Sequence, residues 1–248
     1  MRSMANQLVP FLHKIYSQTG KSKGVIAVSG GIDSAVSLTL LTQALGVNNV
    51  FPVFLPYHEQ DTTDAKEIVK WNKIPAQNWR EINIGSTVDQ LQEILSIDAA
   101  DKVRLGNVMA RARMIAVFDL AKKIDALVCG TENKSEHYLG YFTGFGDGAS
   151  DIEPLMSLYK TQVRQLAHEL KIPEKFITKV PSAGLWTGQT DEQELGFSYE
   201  QADKVMTQLI DQQKKLREVT GVDPAIAKKV ATQIDRMLFK HKVPYILD

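Results

Sequence analysis

The 248 residues carry 29 basic and 29 acidic side chains, so charge balance excludes a general polyanion binder, and no basic stripe points to nucleic acid. Hydrophobic residues make up 44% and charged residues 23%, which excludes a disordered chain and suffices for one large domain, taken as 1–248. No apolar run approaches the ~18 residues of a membrane span. The N-terminus lacks a secretory signal, and the lone Cys129 excludes an intrachain disulfide. A cytoplasmic protein with no nucleic-acid and no membrane partner is expected.

Leu8, Phe11, Leu12 and Ile15 share one face of a helix predicted over residues 4–18, with Gly20 as its stop. The β-branched run Val25-Ile26-Ala27-Val28 is the first strand. It enters the turn Ser29-Gly30-Gly31, and an apolar helix follows from about Asp33 to Leu45. Residues 49–55 form a second strand, whose Pro52 suits an edge or a bulge better than a central ladder. A helix over 61–71, a strand over 80–84, a helix over 88–95 and a strong helix over 107–123 follow. Ala126 to Cys129 is the fourth strand, ending in Gly130-Thr131. This alternation predicts an α/β fold, a doubly wound, mostly parallel sheet with helices on both faces. Ligands of such sheets sit outside the carboxyl ends of the strands.

After Thr131 the texture changes. Residues 140–151 hold four glycines and two acids, as a flexible turn or a binding loop. A helix over 158–170 ends at Lys171-Ile172-Pro173. Residues 180–197 form a long polar loop around Trp186, a length that is usually functional or disordered. Ser198 with Gln201 makes a capping box for a helix to about Lys215, and Asp223-Pro224 opens another. The chain ends in a basic tail around Lys240-His241-Lys242.

The Ser29-Gly30-Gly31 corner, a tight turn feeding a helix N-terminus, suits phosphate or pyrophosphate. It matches neither Gly-x-x-x-x-Gly-Lys-Ser/Thr nor Gly-x-Gly-x-x-Gly. Asp33 is out of place there unless a divalent cation bridges it to phosphate; the bland reading is a first-turn acid. Glu136, after Gly130-Thr131, is either a second metal carboxylate or a solvated first-turn acid. Arg111 and Arg113 lie two apart on a helix and point to different faces, so at most one aims into a given site. Lys160 is a phosphate ligand or a solvated helix lysine. His241-Lys242 is a ligand pair or a frayed tail. The five histidines show no zinc spacing, and Cys129 reads as a small buried hydrophobe.

Ser29-Gly30-Gly31-Ile32-Asp33-Ser34 resembles the pyrophosphate loop of the ATP pyrophosphatases. The larger set is similar to the ammonia-dependent NAD+ synthetases: Gly106-Asn107 with Arg111 and Arg113, Asn133-Lys134-Ser135-Glu136, Gly140-Tyr141-Phe142-Thr143, Gly146-Asp147-Gly148 with Asp151, Tyr159-Lys160-Thr161-Gln162, Gly184-Leu185-Trp186, Gln189-Thr190-Asp191-Glu192 and His241-Lys242. The resemblance implies that Ala27, Val28, Ser29, Gly30, Gly31, Ile32, Asp33 and Ser34 cradle ATP, with Thr131, Lys160 and Ser182. It implies Mg2+ on Asp33 and Glu136, and deamido-NAD+ on Arg111, Asp151, His241 and Lys242. Ammonia, ATP and deamido-NAD+ would be the substrates of a homodimer. Neither reaction step, adenylation of the nicotinate carboxylate or ammonolysis of the adenylate, calls for a protein nucleophile. The family often has a lysine after Gly-Tyr-Phe-Thr, where this chain has Gly144. Lys134 and Lys179 are the candidate replacements. No segment is spare for a glutaminase, and the 181–197 loop is expected to close as a lid. A tRNA thiolase would want paired cysteines and a basic face; a nucleotide-binding regulatory module would need no second substrate site.

Overall fold

The computed structural model describes residues 3–186 and 188–246. In chain order these form α1 (Ala5–Thr19), β1 (Gly24–Ala27), α2 (Ile32–Leu45), β2 (Val50–Phe54), α3 (Thr63–Trp71), β3 (Arg80–Glu81), α4 (Gly85–Ile94), α5 (Lys102–Ile124) and β4 (Leu127–Cys129). The second half adds α6 (Lys134–Leu139), α7 (Lys160–Glu169), α8 (Glu174–Thr178), α9 (Asp191–Leu195), α10 (Tyr199–Met206) and α11 (Pro224–Met237). The four strands are parallel in the order β3-β2-β1-β4, with Gly24 level with both Val50 and Leu127. A single bridge from Cys129 to Ile152 extends the sheet past β4.

Alternation along the strands builds the two-faced core. Ile26, Val28, Phe54 and Cys129 pack on one face under α1, α2, α3, α7 and α8. Val25, Val53, Leu55 and Val128 pack on the other under α4 and α5. Helix α2 is apolar on nearly every side because it lies inside the first layer: Val36, Leu38, Leu40 and Leu41 are fully buried. Each such side chain contributes roughly 1.5–3 kcal/mol. A third core gathers Leu139, Tyr199, Val205, Met206, Val230 and Ile234 from α6, α10 and α11. None of the described helices is long and apolar enough to cross a membrane.

Several expectations shift. Strand β2 is internal, between β3 and β1, so Pro52 occupies neither an edge strand nor a bulge. The carbonyls of Val50 and Phe54 face the β3 side, where they accept from Asn78 Nδ2 (3.1 Å) and Ile82 N (2.9 Å). Alternation puts the Pro52 nitrogen on that same side. Strand β3 begins only opposite Val53, so no ladder bond is missing there. Helix α5 starts at Lys102, five residues before the predicted Asn107, because Asp101 caps it by accepting from Arg104 N at 3.1 Å. Helix α10 passes into a π turn over Thr207–Asp211 and stops short of Lys215. The 180–197 loop contains the short α9.

Candidate active site

All four strands point their carboxyl ends to one edge, and the turn after β1 lies there. Val28 N still donates to Val53 O at 3.0 Å, so the sheet holds the chain until the turn begins. The turn then closes on two hydroxyls. Ser29 Oγ accepts from Gly31 N at 3.2 Å and lies 3.2 Å from Ser34 Oγ, which donates to Gly31 O at 2.9 Å. Gly30 has φ +77°, and a Cβ on it would lie 2.9 Å from the Ala65 backbone nitrogen, so glycine is required by both conformation and space. Helix α2 starts at Ile32, and Asp33 is its first-turn acid.

Asp33 does not face solvent. Lys160 Nζ donates to Asp33 Oδ2 at 2.6 Å and to Glu136 Oε1 at 2.8 Å. The ammonium side chain is 2% exposed, and the two carboxylates are 17% and 16% exposed. Asn133 joins the same acids on their other oxygens: its Nδ2 donates to Asp33 Oδ1 at 2.8 Å and its backbone N to Glu136 Oε2 at 3.3 Å. Asn133 Oδ1 in turn accepts from Glu136 N, completing the capping box of α6. Lys160 opens α7, with its backbone N donating to Ser135 Oγ at 2.8 Å. Its ammonium lies 5.1 Å from the centre of the Tyr199 ring.

Burial and the charge of Asp33 push the Glu136 carboxyl up, and the Lys160 ammonium opposes the rise. Burial alone would lower the Lys160 ammonium, but Asp33 and Glu136 more than offset it and hold it above its ordinary value. Asp191 adds a third buried acid. Tyr199 Oη donates to its Oδ2 at 3.0 Å, while its Oδ1 is buried with no partner among the described residues. No group of three or more His, Cys, Asp or Glu among the described residues is arranged to hold a metal by itself. Asp33 and Glu136 nevertheless converge on one cation, so the donor set fits a hard divalent ion that draws its other ligands from phosphate and water.

Away from this cluster, a cavity of about 250 Å³ opens between α5, the 142–145 turn and the C-terminal residues, lined by Arg111, Phe142, Gly144, Phe145 and Lys240 among others. Arg111 Nη2 donates to Gly144 O at 3.3 Å. Arg113 turns the other way, into the molecule, where Nε donates to Leu55 O at 3.1 Å and Nη2 to Gln60 Oε1 at 3.0 Å.

The NAD synthase family model matches residues 4–244. The NH(3)-dependent NAD(+) synthetase of Fusobacterium nucleatum is 41% identical over 99% of this chain and 95% of its own length. This chain belongs to the NAD synthase family. Two solved structures agree in fold. The NMN synthetase of Francisella tularensis superimposes with a TM-score of 0.85 at 32% identity, covering 99% of this chain and 97% of that one. The NH3-dependent NAD synthetase of Campylobacter jejuni does so with a TM-score of 0.83 at 30% identity and the same coverage.

Within this NAD synthase fold the structure brings together Ser29, Gly30, Gly31, Asp33, Ser34, Glu136 and Lys160. Asp151 pins the edge of the sheet: its Oδ2 accepts from Val128 N at 2.7 Å. His241 is not frayed, because its ring stacks on His137 at 4.2 Å and its Nε2 lies 2.7 Å from His137 O; Lys242 is exposed. Ser182 is exposed, and its Oγ accepts from Gly184 N at 3.1 Å. The loop around it is closed at its neck by Asp191 N donating to Pro181 O at 3.1 Å and is tied to Gln60 through Gly184 O. Neither candidate for the cation beside Gly144 lines the cavity. Lys134 pairs with Asp211, and Lys179 with Asp64 and Gly30 O.

Sequence reasoning missed Asn133 as the link between the two acids, although Asn133-x-x-Glu136 is a legible capping box. It also missed Glu153, which accepts from Ser150 Oγ at 2.7 Å and Glu132 N at 3.1 Å directly behind Gly130. Burial pushes its carboxyl up to about 8, with the charge of Glu132 adding to this and the Ser150 hydrogen bond opposing it. A carboxyl raised on folding favours the folded state while protonated, so its contribution is present below its unfolded value of about 4.5 and lost as pH rises through about 8. Glu153→Gln, which cannot ionise, should therefore gain stability relative to the parent as pH rises. Urea unfolding at about pH 5.5 and 8.5 checks this; an unchanged difference at the two pH values would show that Glu153 does not titrate in this range.

Proposed function

We propose that this chain, as one synthetase unit of residues 1–248, amidates deamido-NAD+ with ammonia in the cytoplasm, converting ATP to AMP and pyrophosphate. The observation that carries the reading is the Asp33–Lys160–Glu136 cluster seated at the glycine turn and helix N-terminus after β1. A carboxylate oxygen of the nicotinate attacks the α-phosphorus of ATP and pyrophosphate leaves. Ammonia then attacks the acyl carbonyl and AMP leaves. Both partners of the first step are anions, so the protein's main task is to hold them together against repulsion.

The turn from Ser29 to Ser34, beyond the sheet-bonded Ala27 and Val28, and the N-terminus of α2 offer N–H groups and positive dipole to the departing pyrophosphate. Lys160 adds a buried ammonium beside them, and Thr131 and Ser182 add hydroxyls for ATP. Asp33 and Glu136 would hold Mg2+, which when bound neutralises charge on the pyrophosphate. Arg111, Asp151, His241 and Lys242 are assigned to deamido-NAD+. Cys129 takes no part: it is 2% exposed, and burial pushes its thiol well up. A homodimer is supported by exposed apolar side chains on α4 and α5, where Ile94, Val103 and Ile115 are 75%, 65% and 61% exposed; sedimentation velocity measures it, and a monomer at micromolar concentration would refute it.

The test is a product assay with ATP and deamido-NAD+, supplied with either an ammonium salt or glutamine. NAD+, AMP and pyrophosphate should form together, with ammonium and not with glutamine. Pyrophosphate release in the absence of deamido-NAD+ would overturn the reading. Because the Francisella neighbour is named an NMN synthetase, nicotinate mononucleotide belongs in the same assay. The dinucleotide should have the higher kcat/KM, as expected from the names of the most similar curated relatives.

A further inference from the structure

The cavity beside Gly144 holds two cations, and among the described residues neither forms an ion pair. Arg111 makes one 3.3 Å bond to the Gly144 carbonyl. Lys240 Nζ donates to Gly140 O at 2.6 Å and Phe142 O at 2.7 Å and lies 4.9 Å from the centre of the Phe142 ring. Two neutral carbonyls orient the ammonium, the charges of Asp147 and Glu132 act on it from beyond ion-pair distance, and a lysine keeps a third N–H to donate. The cavity, about 250 Å³, accommodates part of a dinucleotide rather than all of it, and phenylalanines 142, 145 and 239 give it apolar walls. Two positive charges in one apolar-walled recess match a diphosphate better than a single carboxylate.

We infer that Lys240 is a substrate-binding residue that holds a phosphate of the dinucleotide in the cavity beside Gly144. This rests on the amidation reading above and deepens it. Gly144 is what leaves the recess open, since a Cβ built there meets nothing within 4 Å and its φ is not in the left-handed region. A lysine side chain at 144 therefore fits without backbone strain and can deliver an ammonium into the same space.

That gives the test. Lys240→Met keeps the stem over Phe142 and removes the charge. It should raise KM for deamido-NAD+ about tenfold or more, with KM for ATP unchanged. Adding Gly144→Lys to Lys240→Met should restore most of the loss, because a cation returns to the cavity that both positions line. Calorimetric binding of NAD+, which has the diphosphate but no nicotinate carboxylate, should weaken in Lys240→Met by the same factor. An unchanged KM would overturn the inference. So would a loss that Gly144→Lys fails to restore alongside a lowered melting temperature, which would make Lys240 only a clamp on the C-terminal segment. A loss confined to deamido-NAD+ would move Lys240 to the carboxylate and refute the phosphate assignment. Amidation by the unmodified protein tests the underlying reading separately, and the NAD+ binding comparison does not depend on turnover.

Discussion

Lys160→Met should lower the melting temperature sharply, and most of all at alkaline pH. It leaves Asp33 and Glu136, both largely buried, facing each other without the ammonium they share. Removing one partner of a buried charge cluster costs about 3–5 kcal/mol, because the remaining charges are left unpaired. For a chain of this size each kcal/mol moves Tm by roughly 2–4 °C, so a fall of about 6–20 °C is expected. The deficit should shrink as pH falls. Burial and Asp33 already raise the Glu136 carboxyl against the pull of Lys160, and without Lys160 it would rise further, so protonation removes the repulsion the variant suffers. Pyrophosphate release should drop about a hundredfold or more, since the buried cation proposed to face the leaving group is lost. Thermal melts at about pH 6 and 8.5 decide the matter; a variant within about 2 °C of the parent at both values would mean that Lys160 does not balance these acids.

Asp33→Asn should separate chemistry from stability in the opposite way. Asparagine has the same shape, but its Oδ1 accepts from only one of Lys160 and Asn133 while its Nδ2 meets the other donor; with Glu136 still paired to Lys160, the fold should stay intact and lose only a few degrees of melting temperature. What is lost is the charged oxygen proposed as a ligand for Mg2+. Pyrophosphate release should fall about a thousandfold, and the Mg2+ concentration for half-maximal activity should rise. Activity within about tenfold of the parent at ordinary Mg2+ would remove Asp33 from the metal site.

The fold was legible where the pattern is local. Val25 to Val28 and Ala126 to Cys129 announce strands by short apolar runs, and the intervening lengths leave room for helices. Pro52 misled for a definite reason: a proline is excluded only from the side of a strand that needs its N–H, and which side that is depends on where the neighbouring strand begins. The start of α5 was hidden because Lys102 to Gly106 alternates polar and apolar residues and includes a glycine, and its cap, Asp101, precedes the helical apolar period. In the site, the Ser29–Ser34 turn was readable because the hydroxyl bonds that close it lie within six residues. The spacing of Arg111 and Arg113 told that they diverge, and the tertiary structure told which way each went.

Local sequence was enough to place a glycine turn at a helix N-terminus, with an acid inside it, at the edge of a parallel α/β sheet, because turn chemistry, helix polarity and strand periodicity act over a few residues. What that acid pairs with came from the tertiary fold alone. Asp33 and Lys160 are 127 positions apart, and their shared bond with Glu136 exists because α2, α6 and α7 meet behind the turn. The same holds at the second site, where Lys240 and not Lys134 or Lys179 reaches the recess beside Gly144. Charge interactions depend on separation and burial, which chain order does not encode, so lysines that look alike in the sequence part company only in the fold.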